Sequence, residues 1–385
     1  MKIIFYCQHV LGMGHFFRSL EICKALSDHE VIFVTGGASF EVELMPHIRK
    51  VNLPGLMMDP NFSGFYTTEK KLSLEEVRED RKKLLFDLFE SEKPDIFMVE
   101  LYPFGRKAFG FELDPLLKNI RKKHRHRCQT ICSLRDILVE KKDPEKYEKR
   151  VVKILNSVFD VLLIHSDPTI FSLDESFSRI KDIHVPLVYT GFVTAGPPSN
   201  CYRAVRRKLK IGTEKKLVVA SAGGGMVGFP LLEATLKAAV LLEKDIALHL
   251  VVFSGPFMSQ NDFDRLKRLE SEDRMVKSFT PDFLSYLAAA DLSVSMAGYN
   301  TCMNILSAKT PAIVWPFSQN REQRFRAERL AQKASFKVLN DEDLMPERLA
   351  VLIRKRLLHK KLSTAIINLQ GSMYTAQWLN SRRTL

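Results

Sequence analysis

The chain has 385 residues, 45% hydrophobic and 27% charged, with 58 Lys and Arg against 45 Asp and Glu and a formal net charge of +13. This composition excludes a disordered or low-complexity chain and allows two or three domains, each with its own core. The positive balance favours an anionic partner, whether a nucleotide, a phosphorylated substrate, nucleic acid or an anionic lipid surface, and selects none of them.

Six scattered cysteines show no framework spacing, which fits a reducing compartment. No run reaches the ~18 apolar residues that span a bilayer, and residues 2–7 begin a strand with no leader pattern before it. The expected location is the cytoplasm, with peripheral contact to an anionic inner membrane face compatible with the charge.

Residues 2–7 form a short apolar run, read as a buried parallel strand. Residues 12–26 open on glycines and read as a helix, and 30–35 as the next strand, completing a βαβ unit. The Gly-, Pro- and aromatic-rich stretch 54–68 reads as a loop. Residues 73–90 form a charged amphipathic helix with Ser73 as N-cap and Glu76 in capping-box position. Strands follow at 95–100, 129–133, 161–164 and 188–190, with a helix at 146–158.

Residues 194–200 contain Gly196, Pro197 and Pro198 and read as a linker. The alternation then restarts, with strands at 217–220, 248–254, 275–278, 292–295 and 312–315. Helices at 231–242, 263–270, 283–289, 297–307 and 321–332 separate or follow them. The expected fold class is α/β, with two doubly wound Rossmann-like domains facing a central cleft. The expected boundaries are 1–194, 201–350 and a helical tail, 351–385, packing back towards the first domain. In such folds ligands sit at the carboxyl ends of the strands.

Three stretches carry the chemistry. Ala220 to Gly228 places Gly223, Gly224 and Gly225 between a strand and a helix, where backbone N–H groups meet a diphosphate. It fits neither G-x-G-x-x-G nor a P-loop, and the alternative is a tight turn without ligand. His15 lies in the first turn of a glycine-opened helix, placed to take a proton from a substrate hydroxyl, with Arg18 one turn on to meet an anion. The alternatives are a capping histidine and a solvated arginine.

Glu100, Asp136 and Asp167 fall at strand ends, suited to binding a hydroxylated substrate, to orienting a base, or simply to capping loops. Glu322 and Gln323, after Trp315 and Phe317, are suited to sugar hydroxyls or to an ordinary polar first turn. His124, Arg125, His126 and Cys128, with Cys132, match no zinc module. That run reads as a basic helix end without the aromatic interleaving of a nucleic-acid surface.

Taken together, these stretches resemble the GT-B-fold glycosyltransferases. The closest likeness is to the group around the peptidoglycan lipid II N-acetylglucosaminyltransferase and to a set of predicted bacterial glycosyltransferases. The carrying residues are Gly12-Met13-Gly14-His15, Gly223-Gly224-Gly225, Phe279 to Leu284, Ala297-Gly298-Tyr299-Asn300-Thr301 and Asn320-Arg321-Glu322-Gln323. Arg326 to Leu330 and Leu134-Arg135-Asp136-Ile137-Leu138 also take part, so the likeness spans residues 1–350.

The resemblance implies an inverting transfer from a nucleotide-sugar, most often UDP-linked, with no cofactor and no divalent metal. Gly223, Gly224 and Gly225 would meet the diphosphate, Phe279 and Thr280 the base, and Gly298, Asn300 and Thr301 the α-phosphate. Glu322 and Gln323 would read the donor sugar. The first domain would bind a glycan, lipid-linked or small-molecule acceptor through Gly14, Arg18, Glu100, Arg135 and Asp136, with His15 at the reacting centre. Nucleic acid is not an expected partner. Asn304 stands where the lipid II enzyme has a ribose-binding Glu, and Asn offers one neutral carbonyl in place of a charged bidentate acceptor. Alternatives are a nucleotide-sugar epimerase or hydrolase of the same fold, or a non-catalytic nucleotide-sugar-binding subunit.

Overall fold

The computed structural model describes residues 1–9, 14–37, 42–58, 64–68, 72–124, 127–138, 141–319, 321–358 and 366–382. The chain divides into two compact units. One comprises Met1–Val193 with Asn368–Leu385, the other Thr194–Ile367.

In the first unit the order is β1 (Lys2–Tyr6), α1 (Gly14–Ala25), β2 (Glu30–Thr35), β3 (Ile48–Asn52), β4 (Leu56–Met58), β5 (Phe65–Thr67), α2 (Leu74–Glu92) and β6 (Ile96–Glu100). Then come α3 (Gly110–Asn119), β7 (Gln129–Leu134), α4 (Pro144–Val158), β8 (Val161–Ile164) and β9 (Leu187–Tyr189). Seven of these strands form one sheet, β3-β2-β1-β6-β7-β8-β9, parallel throughout. Helices cover both faces, so β1 is apolar on both sides. Ile4 and Tyr6 join the core under α2, α3 and α4, while Ile3, Phe5 and Cys7 join the core under α1.

The second unit holds α5 (Cys201–Leu209), β10 (Lys216–Ser221), α6 (Phe229–Leu242), β11 (Leu248–Phe253), α7 (Gln260–Lys267), β12 (Arg274–Lys277) and α8 (Phe283–Ala289). It continues with β13 (Leu292–Met296), α9 (Tyr299–Ala308), β14 (Ala312–Trp315), α10 (Arg321–Lys333), β15 (Phe336–Val338) and α11 (Pro346–Leu358). Its sheet, β12-β11-β10-β13-β14-β15, is also parallel throughout. The final helix, α12 (Gly371–Asn380), returns to the first unit, where Ala376 and Leu379 pack beside α1.

Several elements depart from the sequence expectations. The stretch read as a loop at 54–68 contains the antiparallel hairpin β4-β5, and residues 59–63 lie outside the described residues. The edge strands β3 and β15 escape a search for apolar runs, because Arg49, Lys50 and Lys337 interrupt their pattern. The tail also divides differently. Leu349, Ile353 and Leu357 of α11 bury into the second core, so the boundary falls after Ile367 and not at 350.

Expected caps do form. The Ser73 hydroxyl accepts the Glu76 N–H at 3.2 Å, and the Glu76 carboxylate accepts the Ser73 N–H at 2.8 Å. Among the described residues no helix is long and apolar enough to cross a membrane.

Candidate active site

In the first unit the parallel strands bring a row of polar residues to one edge. Glu100 ends β6, Ser133 lies near the end of β7, and His165 and Thr190 directly follow β8 and β9. The glycine-opened helix α1 supplies His15 and Arg18 to the same edge, with Gly14 exposed as its first residue. Gly12 and Met13 of the expected motif lie outside the described residues.

His15 Nδ1 lies 2.7 Å from Glu100 Oε1, and Arg18 Nη2 donates to that same oxygen. The Glu100 side chain is fully buried, while the His15 ring is 23% exposed. Burial opposes ionisation of Glu100, but the positive charge that His15 would carry if protonated, the charges of Arg18 and Arg106, and the hydrogen bonds from His15 and Arg18 outweigh it and hold the carboxyl at about 2. Burial drives the imidazole of His15 down to about 3. Glu100 raises it and Arg106 and Arg18 lower it further.

A neutral ring against an ionised carboxylate fixes the tautomer. Glu100 only accepts, so Nδ1 carries the hydrogen and Nε2 the lone pair. Glu100 is therefore a buried partner of His15 and Arg18 and not an open contact for an acceptor. This outcome was open in the sequence, which allowed a carboxylate there to orient a base.

Three further polar residues join this edge without a sequence expectation for them. His165 Nε2 is 2.8 Å from Ser133 Oγ, and its Nδ1 is 2.8 Å from Thr190 Oγ1. Burial, followed by the nearby Arg18 charge, takes this imidazole down to about 3, so the bridge is held by a neutral ring. The available signal was positional, because each residue lies at the carboxyl end of a strand that neighbours the next. Asp136 is buried just past β7, and Arg135 beside it is half-buried. Asp167 caps its own loop, accepting from Thr169 N–H and hydroxyl at 2.9 and 2.7 Å and from Asn368 N–H at 2.9 Å.

The basic helix end described at His124 packs in the first unit. His124 Nε2 lies 3.3 Å from Glu90, while Cys128 and Cys132 are buried. Arg125 and His126 lie outside the described residues.

In the second unit the glycine turn follows β10. Gly223 and Gly224 are exposed, and Gly225 is buried against the turn after β11. A Cβ on Gly223 would lie 3.7 Å from Thr301 Oγ1, and one on Gly298 would lie 4.0 Å from it. The turn and the first turn of α9 thus converge at Thr301. Gly298 caps α9 with no side-chain hydrogen bond, so the helix start presents backbone N–H groups and positive partial charge. Asn300 sits half-buried in that same turn. One expected donor is already engaged, since the Gly223 N–H donates to Ser221 Oγ at 3.0 Å.

Other expected donor contacts are placed as follows. Phe279, after β12, is 53% exposed, and Thr280 Oγ1 accepts the Asp282 N–H at 3.1 Å near the start of α8. Glu322 is buried and pairs with Arg326, whose guanidinium lies 5.4 Å from the Tyr299 ring centroid. Gln323 Oε1 accepts the Phe317 N–H at 3.1 Å. Asn304 Oδ1 accepts from Thr194 Oγ1 at 3.1 Å, and Ser307 Oγ donates to the Ala195 carbonyl at 2.6 Å. Position 304 therefore ties the linker to α9. Asn320 lies outside the described residues.

Comparison with known proteins agrees with this arrangement. Residues 219–372 match the glycosyltransferase family 28 C-terminal domain. An uncharacterized glycosyltransferase of Methanosarcina mazei is 24% identical over 381 residues, covering 96% of this chain and 93% of its own. Another, from Methanopyrus kandleri, is 21% identical over 212 residues, and the match spans 54% of this chain and only 58% of that protein. The UDP-N-acetylglucosamine–N-acetylmuramyl-(pentapeptide) pyrophosphoryl-undecaprenol N-acetylglucosamine transferase of Carboxydothermus hydrogenoformans is 26% identical over 152 residues, 39% of this chain and 40% of its own. Among solved structures, Acinetobacter baumannii MurG superimposes with a TM-score of 0.55 at 16% identity, over 98% of this chain and 95% of its own. The fold is that of the GT-B glycosyltransferases, and residues 219–372 match the family 28 C-terminal domain.

Proposed function

We propose that this protein transfers a sugar from a UDP-linked nucleotide-sugar donor to an acceptor hydroxyl with inversion at the anomeric carbon. His15 is the general base. Its Nε2 takes the acceptor proton while the acceptor oxygen bonds to the anomeric carbon and the bond from that carbon to the diphosphate breaks. Glu100 holds the ring in the proton-accepting tautomer. The leaving nucleoside diphosphate takes the bonding electron pair, and its charge is received by the α9 N-terminus and the turn at Gly223 and Gly224.

The carrying observation is the 2.7 Å contact between His15 Nδ1 and the buried Glu100 carboxylate, which leaves a neutral imidazole with its outer nitrogen unprotonated. The UDP assignment is supported by the family 28 domain and by the UDP-N-acetylglucosamine donor in the name of the Carboxydothermus relative. In this reading Phe279 meets the base, Gly298, Asn300 and Thr301 the α-phosphate, and Glu322 and Gln323 the donor sugar. Gly14, Arg18, Arg135 and Asp136 belong to the acceptor side, with Arg18 and Asp136 acting from within the fold. The basic surface suits a lipid-linked acceptor at an anionic membrane.

The test is transfer of label from radioactive nucleotide-sugars into membrane and soluble extracts. The wild-type protein is expected to incorporate label from a UDP-sugar. His15→Ala should lower turnover by roughly 10²–10⁴-fold while donor binding persists. Unchanged turnover would remove His15 from the mechanism, and no incorporation from any donor would contradict transfer.

A further inference from the structure

Hydrogen bonding to a carboxylate orients an imidazole but also stabilises its protonated form, and an imidazolium cannot act as a base. Glu100 carries both its hydrogen-bonded partners, the His15 ring and the Arg18 guanidinium, on Oε1. Its other oxygen, Oε2, is buried and has no hydrogen-bond partner among the described residues. Arg106 Nε is likewise buried without a hydrogen-bond partner, and it lies 4.0 Å from that oxygen.

The loop that presents Arg106 is braced. Tyr147 Oη donates to the Phe104 carbonyl at 2.7 Å, and Arg150 Nη2 donates to the Pro103 carbonyl at 2.9 Å, both from α4. Arg106 itself adopts a left-handed backbone, φ 57°, which turns the chain into the short helical turn Lys107–Phe109. A carboxylate oxygen and a guanidinium nitrogen, neither hydrogen-bonded to a described residue, are thus held 4.0 Å apart beside the base.

We propose that Arg106 is the counter-ion of the second Glu100 oxygen. With Arg18 it neutralises the carboxylate, so that Glu100 orients His15 without capturing a proton on it. Arg106 is a positioning residue, and its catalytic consequence rests on His15 acting as the base. Three other titratable groups near this cluster add no charge. His165, from the end of β8, is a neutral ring bonded at both nitrogens. Burial pushes the Cys7 thiol, after β1, up to about 12 and raises that of Cys132, on β7. Two guanidinium groups therefore face one carboxylate, and a third positive charge on His15 is disfavoured.

The test follows the His15 ring by NMR titration in the full chain, comparing wild type, Arg106→Gln and Arg106→Lys. Removing the charge should raise the His15 midpoint by ~1 unit, a tenfold gain in proton affinity, and should move the acid limb of the rate profile the same way. Arg106→Lys, which keeps the charge, should stay close to wild type. A midpoint unmoved in Arg106→Gln overturns the proposal, as does an equal rise in both variants. Arg106→Met supplies the same charge removal where the Gln variant does not fold. The titration needs no substrate. A raised midpoint in a protein without transferase activity would therefore defeat the proposed function and leave the counter-ion role standing.

Discussion

Two imidazoles in the first unit stay neutral for different reasons of local chemistry. His165 is sealed between two hydroxyls, and His15 borders a carboxylate whose charge two arginines share. Both are held at about 3 in the folded chain, well below the ordinary value of ~6.5 in an unfolded one. Between those limits the unfolded chain binds protons that the folded chain does not, so stability falls as pH falls. The slope is ~1.4 kcal/mol per pH unit for each ring. Glu100, held at about 2, adds the same sign below the ordinary carboxyl value. The expected outcome is a urea midpoint that drops steadily from pH 7 to pH 4, with a shallower drop in His165→Gln. An identical slope in that variant would show that His165 titrates normally in the folded protein.

At the level of elements, two glycine turns of the second unit interlock through bare backbone. Gly255 has φ +85°, and a Cβ there would lie 2.5 Å from Gly223 O, Gly224 C and Gly225 N. Gly225 has φ +95°, and its Cβ would lie 2.6 Å from Ser254 O. The Phe257 N–H closes the pair on Gly224 O at 2.9 Å. No side chain fits either position without moving the turn that faces Thr301. Gly255→Ala is expected to cost more than ~1 kcal/mol in unfolding free energy and to weaken nucleotide-sugar binding at least tenfold. Wild-type binding by that variant would separate the turn from the donor site.

Element-level reading of the sequence was strongest where one residue type has one physical use. The apolar runs of β1 and β10 and the Ser73–Glu76 box fall into that class. It was weakest where tertiary pairing overrides local pattern. Helix α2 reads as charged, yet Arg81 is wholly buried and makes a two-point pair with Glu112, with its Nη1 also donating to the Pro54 carbonyl at 2.7 Å. A signal existed, since Arg81 falls four residues after Val77 and four before Leu85, on the apolar stripe. A charged residue there requires a buried partner. Arg106 gave no comparable signal, because its place beside Glu100 is set by a loop conformation that periodicity does not encode.

At the scale of the whole molecule, two parallel sheets each bring their chemistry to the carboxyl ends of the strands, as the alternation of elements implied. The first unit holds an imidazole hydrogen-bonded to a buried carboxylate, and the second a glycine turn that converges with a helix start on Thr301. What the alternation did not reveal is how the linker is held. The Thr194 hydroxyl and the Ala195 carbonyl bond to Asn304 and Ser307 of α9, the helix whose start meets the glycine turn at Thr301. Residue 304 was expected at the nucleotide, and its carbonyl accepts the Thr194 hydroxyl of the linker.

Whether the second unit takes a nucleotide-sugar is tested most directly by thermal unfolding of the purified protein with a panel of nucleotides and nucleotide-sugars. A ligand at 100 times its Kd adds about 2.7 kcal/mol to stability, enough for a clear shift of the midpoint. The account predicts a rise with UDP and UDP-sugars, larger than with GDP, dTDP or CDP species. A midpoint that no nucleotide or nucleotide-sugar moves would contradict it.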